Sequence, residues 1–218
     1  MIQSGRGILI VTAVEVEKDA VLRGLKNNSG FDVIAAGVGP IAAAAGTAKV
    51  LATTEYRLVI SAGIGGGFPG RAEVGSLVVA DRIIAADLGV ETTEGFCSLD
   101  ELGFGETSIP VDDGLVNRVN GALAAAKLLV MTGPVLTVST VTGTAESAAR
   151  LAARVPGAAA EAMEGYGVAL AAHNCGIPVL ELRAISNAVG PRDRAAWRIK
   201  EALDVLAVAT SVLPEVLS

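Results

Sequence analysis

Aromatic side chains are scarce in this chain: four Phe, two Tyr and one Trp make up 3% of its 218 residues. Histidine occurs once, at His173, and cysteine twice, at Cys97 and Cys175. Each shortage closes off a class of function. Nucleic-acid surfaces combine aromatics with a basic stripe, and this chain has no such stripe and a net charge of −6, so nucleic acid is not an expected partner. A Ser-His-Asp triad or a histidine-rich metal centre would have to run through His173, which reads instead as a cap near a helix end. The cysteines stand far apart in no metal-ligand spacing and read as free thiols of a reducing cytosol. No G-x-S-x-G, H-E-x-x-H or Walker A sequence is present, which sets aside most hydrolases, metalloproteases and kinases. No apolar run is long enough to span a bilayer, and residues 8–11 are too few for a signal-peptide core. The expectation is a soluble cytoplasmic protein with no metal and no organic cofactor.

What the chain does have is aliphatic. Hydrophobic residues make up 51% and charged residues 18%, so Ala, Val, Leu and Ile must build the core. The length suits one α/β domain over residues 1–218. Apolar, β-rich runs recur at 8–14, 32–36, 58–62, 76–84, 128–138 and 178–185, several without alternation, as in strands buried on both faces. Ala-rich stretches with helical character lie between them, at 16–26, 41–53, 114–127, 145–154, 166–174 and 194–213. This order predicts an α/β fold with a central mixed β-sheet and helices on both faces. Residues 87–110 are rich in Gly, Thr, Ser, Glu and Asp, and read as a long loop carrying Phe96 and Phe104.

Four segments carry candidate chemistry. Ala13-Val-Glu-Val-Glu17 puts two carboxylates at the end of the first strand; Glu17 suits a general base, and equally suits the first turn of a helix, where it meets the dipole. Gly63-Ile-Gly-Gly-Gly-Phe-Pro-Gly70 contains G-x-G-x-x-G spacing from Gly65, but Pro69 and the next strand leave no room for a dinucleotide helix. It reads as a loop whose backbone approaches a ligand, or as a tight β-β turn. Met163-Glu164 sits in apolar surroundings before a helix. A carboxylate there can accept the hydroxyls of a diol, with Met163 as a soft surface for a sugar, or it can pair with Arg183. Arg183-Ala-Ile-Ser-Asn187 closes an apolar strand with groups that donate and accept at the mouth of a sheet, or simply with a turn.

Taken in order, Val14-Glu-Val-Glu17, Gly63-Ile-Gly-Gly66, Met163-Glu164 and Arg183-Ala-Ile-Ser-Asn187 resemble the nucleoside phosphorylase/nucleosidase family over nearly the whole chain. Phosphorylases of that family carry a Gly-Asp-Pro-x-Arg-like phosphate loop after the first strand. This chain has carboxylates there and lacks the Arg, which implies water as nucleophile. Methylthioadenosine/S-adenosylhomocysteine nucleosidases carry Asp where Asn187 stands, whereas an Asn amide that bonds N7 and O6 together favours a 6-oxopurine. Residues 138–143 and 87–105 are similar to the branch of the family that cleaves futalosine to hypoxanthine in a route to menaquinone.

The resemblance implies these roles. Glu17 activates water, and Glu164 holds the ribose 2′- and 3′-hydroxyls while Met163 packs on the sugar. Asn187 stabilises the leaving hypoxanthine. Gly65, Thr142 and Gly143 complete the nucleoside site, the last two through backbone contacts to the base. Arg192 or Arg194 would meet the aryl carboxylate of the substrate, and Phe96 and Phe104 would cover its ring. The partners implied are a small nucleoside and further copies of the chain, in a dimer or tetramer. A methylthioadenosine nucleosidase, a phosphate-dependent purine nucleoside phosphorylase and a non-catalytic nucleoside-binding protein remain the alternatives at this level.

Overall fold

The structure is a computed structural model that describes residues 7–26 and 28–217. The first strand, β1 (Gly7–Thr12), is buried along almost its whole length, as its unbroken apolar run predicts. It feeds α1 (Glu15–Leu25), followed by β2 (Phe31–Ala35), α2 (Pro40–Leu51) and the long strand β3 (Tyr56–Gly67). Next come β4 (Leu77–Ala85), the hairpin β5 (Gly89–Thr92) and β6 (Gly95–Ser98), the short helix α3 (Leu99–Leu102), β7 (Ser108–Pro110) and α4 (Asp113–Ala125). The chain continues with β8 (Val130–Thr137), α5 (Ala145–Arg154), β9 (Ala160–Ala162), α6 (Gly165–Asn174) and β10 (Val179–Ala188). A 3-10 turn (Arg194–Ala196) and α7 (Ile199–Val216) close the described chain.

The sheet is mixed, as expected, and it also closes on itself. β2, β1 and β3 run parallel. One edge of β3 pairs first with β1 and then, at its far end, antiparallel with β9; its other edge pairs parallel with β10. β10 meets β4 antiparallel, β4 meets β8 in parallel, and β8 returns to β9. The ring β3–β10–β4–β8–β9 thus has no free edge between its members, which removes part of the unpaired-edge liability of an open sheet. Two aliphatic clusters fill the interior, the larger built on Ile8, Ile10, Leu58, Ile60, Leu180 and Leu182, all fully buried.

Two expectations need correction. Residues 63–67 are not a loop: they continue β3, with Gly63, Gly65, Gly66 and Gly67 in register with Arg183, Ile185, Asn187 and Ala188. These glycines answer crowding rather than a turn. A Cβ on Gly67 would lie 2.0 Å from the Ala72 carbonyl oxygen, and one on Gly65 would lie 2.8 Å from that of Glu161. Residues 87–110 are not a structureless loop either, since they hold a hairpin, a helical turn capped by Ser98, and β7.

Candidate active site

Glu17 is the third residue of α1, and its carboxylate is 4% exposed. Oε2 accepts the N–H of Ala13 at 2.9 Å and of Val14 at 3.3 Å, and Oε1 accepts the N–H of Ile64 at 2.9 Å. The side chain therefore caps its own helix, which has no other side-chain cap, and ties the end of β1 to β3. A carboxylate offers about four lone-pair sites. Three are filled, and Oε1, which accepts only one of them, is the oxygen nearer the cluster described next.

That cluster gathers on one arginine. Arg183, 1% exposed on β10, donates from Nε to Glu181 at 2.8 Å, from Nη2 to the Ser61 hydroxyl at 2.9 Å and from Nη1 to Glu164 at 3.4 Å. A Cβ on Gly63 would fall 2.6 Å from Glu17 Oε1 and 2.7 Å from Arg183 Nη1, so a glycine at this position lets the two groups meet over the backbone of β3. Burial acts to lower the guanidinium pKa, but the Glu181, Glu164 and Glu17 carboxylates more than offset it and the pKa is raised. Burial pushes the Glu181 carboxyl up, against the pull of Arg183.

Glu164 follows β9 and is placed by three long contacts. Its Oε1 accepts the Gly39 N–H at 3.2 Å, and its Oε2 accepts the Met163 N–H at 3.3 Å besides Arg183. Gly39 is the N-cap of α2, with φ of 93°, and Pro40 begins the helix. The Arg183 partnership foreseen for Glu164 is thus present, at the long end of hydrogen bonding. Met163 is half-buried beside it.

Asn187 owes its direction to a β-bulge. The β10–β3 register shifts between Ile185 and Asn187, so Ser186 is the extra residue, the device by which sheets re-aim a side chain next to a site. The Ser186 hydroxyl lies 2.8 Å from Asn187 Oδ1 and 3.2 Å from the Gly65 carbonyl, and Asn187 Nδ2 donates to the Ala188 carbonyl at 3.1 Å. A flipped amide would set oxygen against the Ala188 carbonyl, so the orientation is determined. One N–H of Nδ2 is left over. One of the two donors that the sequence suggested for N7 and O6 is here engaged by Ala188. Gly65 is buried, with its carbonyl facing Ser186.

Thr142 and Gly143 lie in the turn after β8. Both the backbone N–H and the hydroxyl of Thr142 donate to the Glu161 carboxylate, while the Gly143 carbonyl accepts the Arg192 N–H at 3.2 Å. Burial raises the Glu161 pKa, with the Thr142 hydrogen bonds acting the other way. The turn borders a cavity of about 410 Å3 that also touches Asp87, Arg150 and Arg154. The segment after Asn187 folds back on it: Arg198 N–H donates to the Ser186 carbonyl at 2.7 Å, and the Arg192 guanidinium stands 5.9 Å from the centroid of Trp197. Phe96 instead lies under Arg154, 3.5 Å from ring centroid to guanidinium, and Phe104 is 79% exposed. Glu181, Ser61 and Trp197 were absent from the sequence reading. Glu181 was the detectable one, as an acid inside the otherwise apolar run 177–182.

The model of the phosphorylase superfamily matches residues 16–218. The chain belongs to this superfamily. Among curated relatives it is 52% identical to the futalosine hydrolase of Streptomyces coelicolor, the match covering 96% of each chain. Among solved structures it resembles a 5′-methylthioadenosine/S-adenosylhomocysteine nucleosidase of Helicobacter pylori bound to butyl-thio-DADMe-Immucillin-A, with a TM-score of 0.84 at 16% identity, covering 98% of this chain and 100% of that one. It also resembles the futalosine hydrolase of Helicobacter pylori, with a TM-score of 0.83 at 17% identity, covering 96% and 98%. Superfamily members of both specificities share this fold, so the fold alone does not choose between them. Among the described residues no group of three or more His, Cys, Asp or Glu is arranged to hold a metal, and no helix is long and apolar enough to cross a membrane.

Proposed function

We propose that this chain is a nucleosidase that hydrolyses the N-glycosidic bond of futalosine, releasing hypoxanthine and dehypoxanthine futalosine on a route to menaquinone. The observation that carries the reading is the 52% identity, across 96% of both chains, to a futalosine hydrolase. The site geometry supports it. The free lone pair on Glu17 Oε1 takes a proton from water as its oxygen attacks the anomeric carbon. The C1′–N9 bond breaks through an oxocarbenium-like sugar, and its electron pair leaves with the base. The free N–H of Asn187 stabilises the charge developing there, and water returns a proton to the base. Glu164, held only by contacts of 3.2–3.4 Å, accepts the ribose hydroxyls, with Met163 against the ring. Thr142, Gly143 and the β3 backbone at Gly65 complete the base side.

Phosphate is a poor fit as nucleophile. The one buried guanidinium at the site is committed to Glu181, Glu164 and Ser61, and two carboxylates flank the approach. Arg192, which stacks loosely on Trp197, and Arg194 are the cations offered to the aryl carboxylate of the substrate. The same reading makes the protein a single-domain cytoplasmic enzyme that assembles with copies of itself. An apolar groove lined by Pro40, Ile41, Leu88, Tyr166 and Leu170, with Ile41 83% exposed, is the surface offered for that contact.

The test is turnover of futalosine in phosphate-free H2-18O. The expected result is hypoxanthine without label and heavy oxygen on the anomeric carbon of the sugar product. Release that requires phosphate, or label absent from the sugar, would overturn the hydrolytic reading.

A further inference from the structure

Three carboxylates converge on Arg183, and the proposed reaction uses two of them. The third, Glu181, is fully buried on β10 two residues before the arginine. Its Oε1 accepts a hydrogen bond from Arg183 Nε–H at 2.8 Å, the shortest of the contacts to that guanidinium. Among the described residues its Oε2 has no hydrogen-bond partner. The carboxylate is pressed against Gly165, where a Cβ would fall 2.2 Å from Oε1 and 2.3 Å from Oε2. Gly165 directly follows Glu164 and opens α6. Leaving a buried carboxylate oxygen unpaired is costly, and an apolar residue here would instead leave the buried Arg183 Nε–H without its partner. The acid therefore serves the arginine rather than the packing of the strand.

We propose that Glu181 is a positioning residue for the hydrolytic site: it locks the Arg183 fork so that Nη1 stays between the Glu164 and Glu17 carboxylates. The geometry leaves the guanidinium little choice. Nε is anchored by Glu181 and Nη2 by Ser61, which fixes the plane, and Nη1 then projects over Gly63 toward Glu17 while touching Glu164. A planar guanidinium with two of its nitrogens pinned cannot rotate about Cδ–Nε. The water-activating acid and the ribose-binding acid are thereby held on one charge at fixed separation. The inference rests on the roles proposed for Glu17 and Glu164, but its structural half stands without them.

Two variants test it. Glu181→Leu removes the anchor, and Glu181→Gln keeps an oxygen for Nε while removing the charge. With Glu181→Leu, kcat for futalosine is expected to fall by about 10- to 100-fold, the scale of a displacement of roughly 1 Å at a reacting group. Glu181→Gln restores most of that loss. Both variants are assayed well below their melting temperatures, so that a lost fold is not read as lost positioning. A crystal structure of Glu181→Leu supplies the readout independent of substrate: Nη1 is expected to leave Glu164. Nη1 unmoved, or kcat unchanged in Glu181→Leu, would overturn the proposal. A wild-type protein inert toward futalosine with Nη1 displaced in the variant would refute the substrate and leave the positioning role standing.

Discussion

Replacing Asn187 by Ala isolates one hydrogen bond. The side chain is half-buried at the end of β10, beyond the bulge at Ser186, so truncation leaves the interior untouched. The Ser186 hydroxyl loses Asn187 Oδ1 but keeps the Gly65 carbonyl at 3.2 Å, so no buried donor is stranded. The Ala188 carbonyl, exposed on the surface, exchanges Nδ2 for water. What disappears is the remaining N–H, which the proposed reaction directs at the base. A donor that acts on charge developing in the transition state is worth about 2.7–4 kcal/mol, or roughly 100- to 1,000-fold in kcat. Half-exposure places Asn187 at the lower end, about 2.7 kcal/mol and about 100-fold. KM should move much less, since the ground-state base carries little charge at that position. The assay is steady-state hypoxanthine release from futalosine, with a thermal melt to show that the fold is intact. A kcat within about threefold of wild type in a normally melting protein would refute the reasoning.

Other outcomes follow from the same contacts. Glu161 has its pKa raised by burial from 4.5, so its protonated form is favoured by folding; the stability this contributes is full at low pH and is lost as pH rises through the raised value. Glu161→Gln should therefore raise the melting temperature at pH 8 while changing it little at pH 4, which a melt series against pH reads directly. Gly24→Ala at the α1–α7 crossing would set a Cβ 2.1 Å from Thr210 Oγ1 and 2.2 Å from the Ala207 carbonyl oxygen. Chemical denaturation should show a loss of about 1–3 kcal/mol. Arg192→Ala or Arg194→Ala should raise KM for futalosine and leave KM for inosine, which lacks the aryl carboxylate, unchanged; two unaltered futalosine KM values would remove both residues from the tail site.

The parts legible in the sequence are those with a strong local signal. β1 announced itself as an unbroken aliphatic run and β10 as an apolar, β-rich run broken by Glu181 and Arg183, and 145–154 is helical over the full span expected. Glu17, Glu164 and Asn187 were visible because each is polar where a strand or apolar stretch stops. Other features depended on partners distant in the chain. Residues 63–67 look like a loop because glycine is poor in strands, yet Gly63, Gly65 and Gly67 are glycine because Glu17, Arg183, Glu161 and Ala72 crowd them. β9 has only three residues, too few for any period, and exists because β3 and β8 flank it. The single free donor on Asn187 depends on a bulge, which local sequence does not signal. Phe96 packs under Arg154, a contact between distant parts of the chain that local sequence does not signal.

The most direct test of the whole account is to incubate the purified protein with futalosine, inosine and methylthioadenosine, with and without phosphate, and to measure the released base by chromatography. Hypoxanthine should form from futalosine at a rate indifferent to phosphate, with no adenine. Adenine from methylthioadenosine as the main product, or cleavage that appears only with phosphate, would contradict the account.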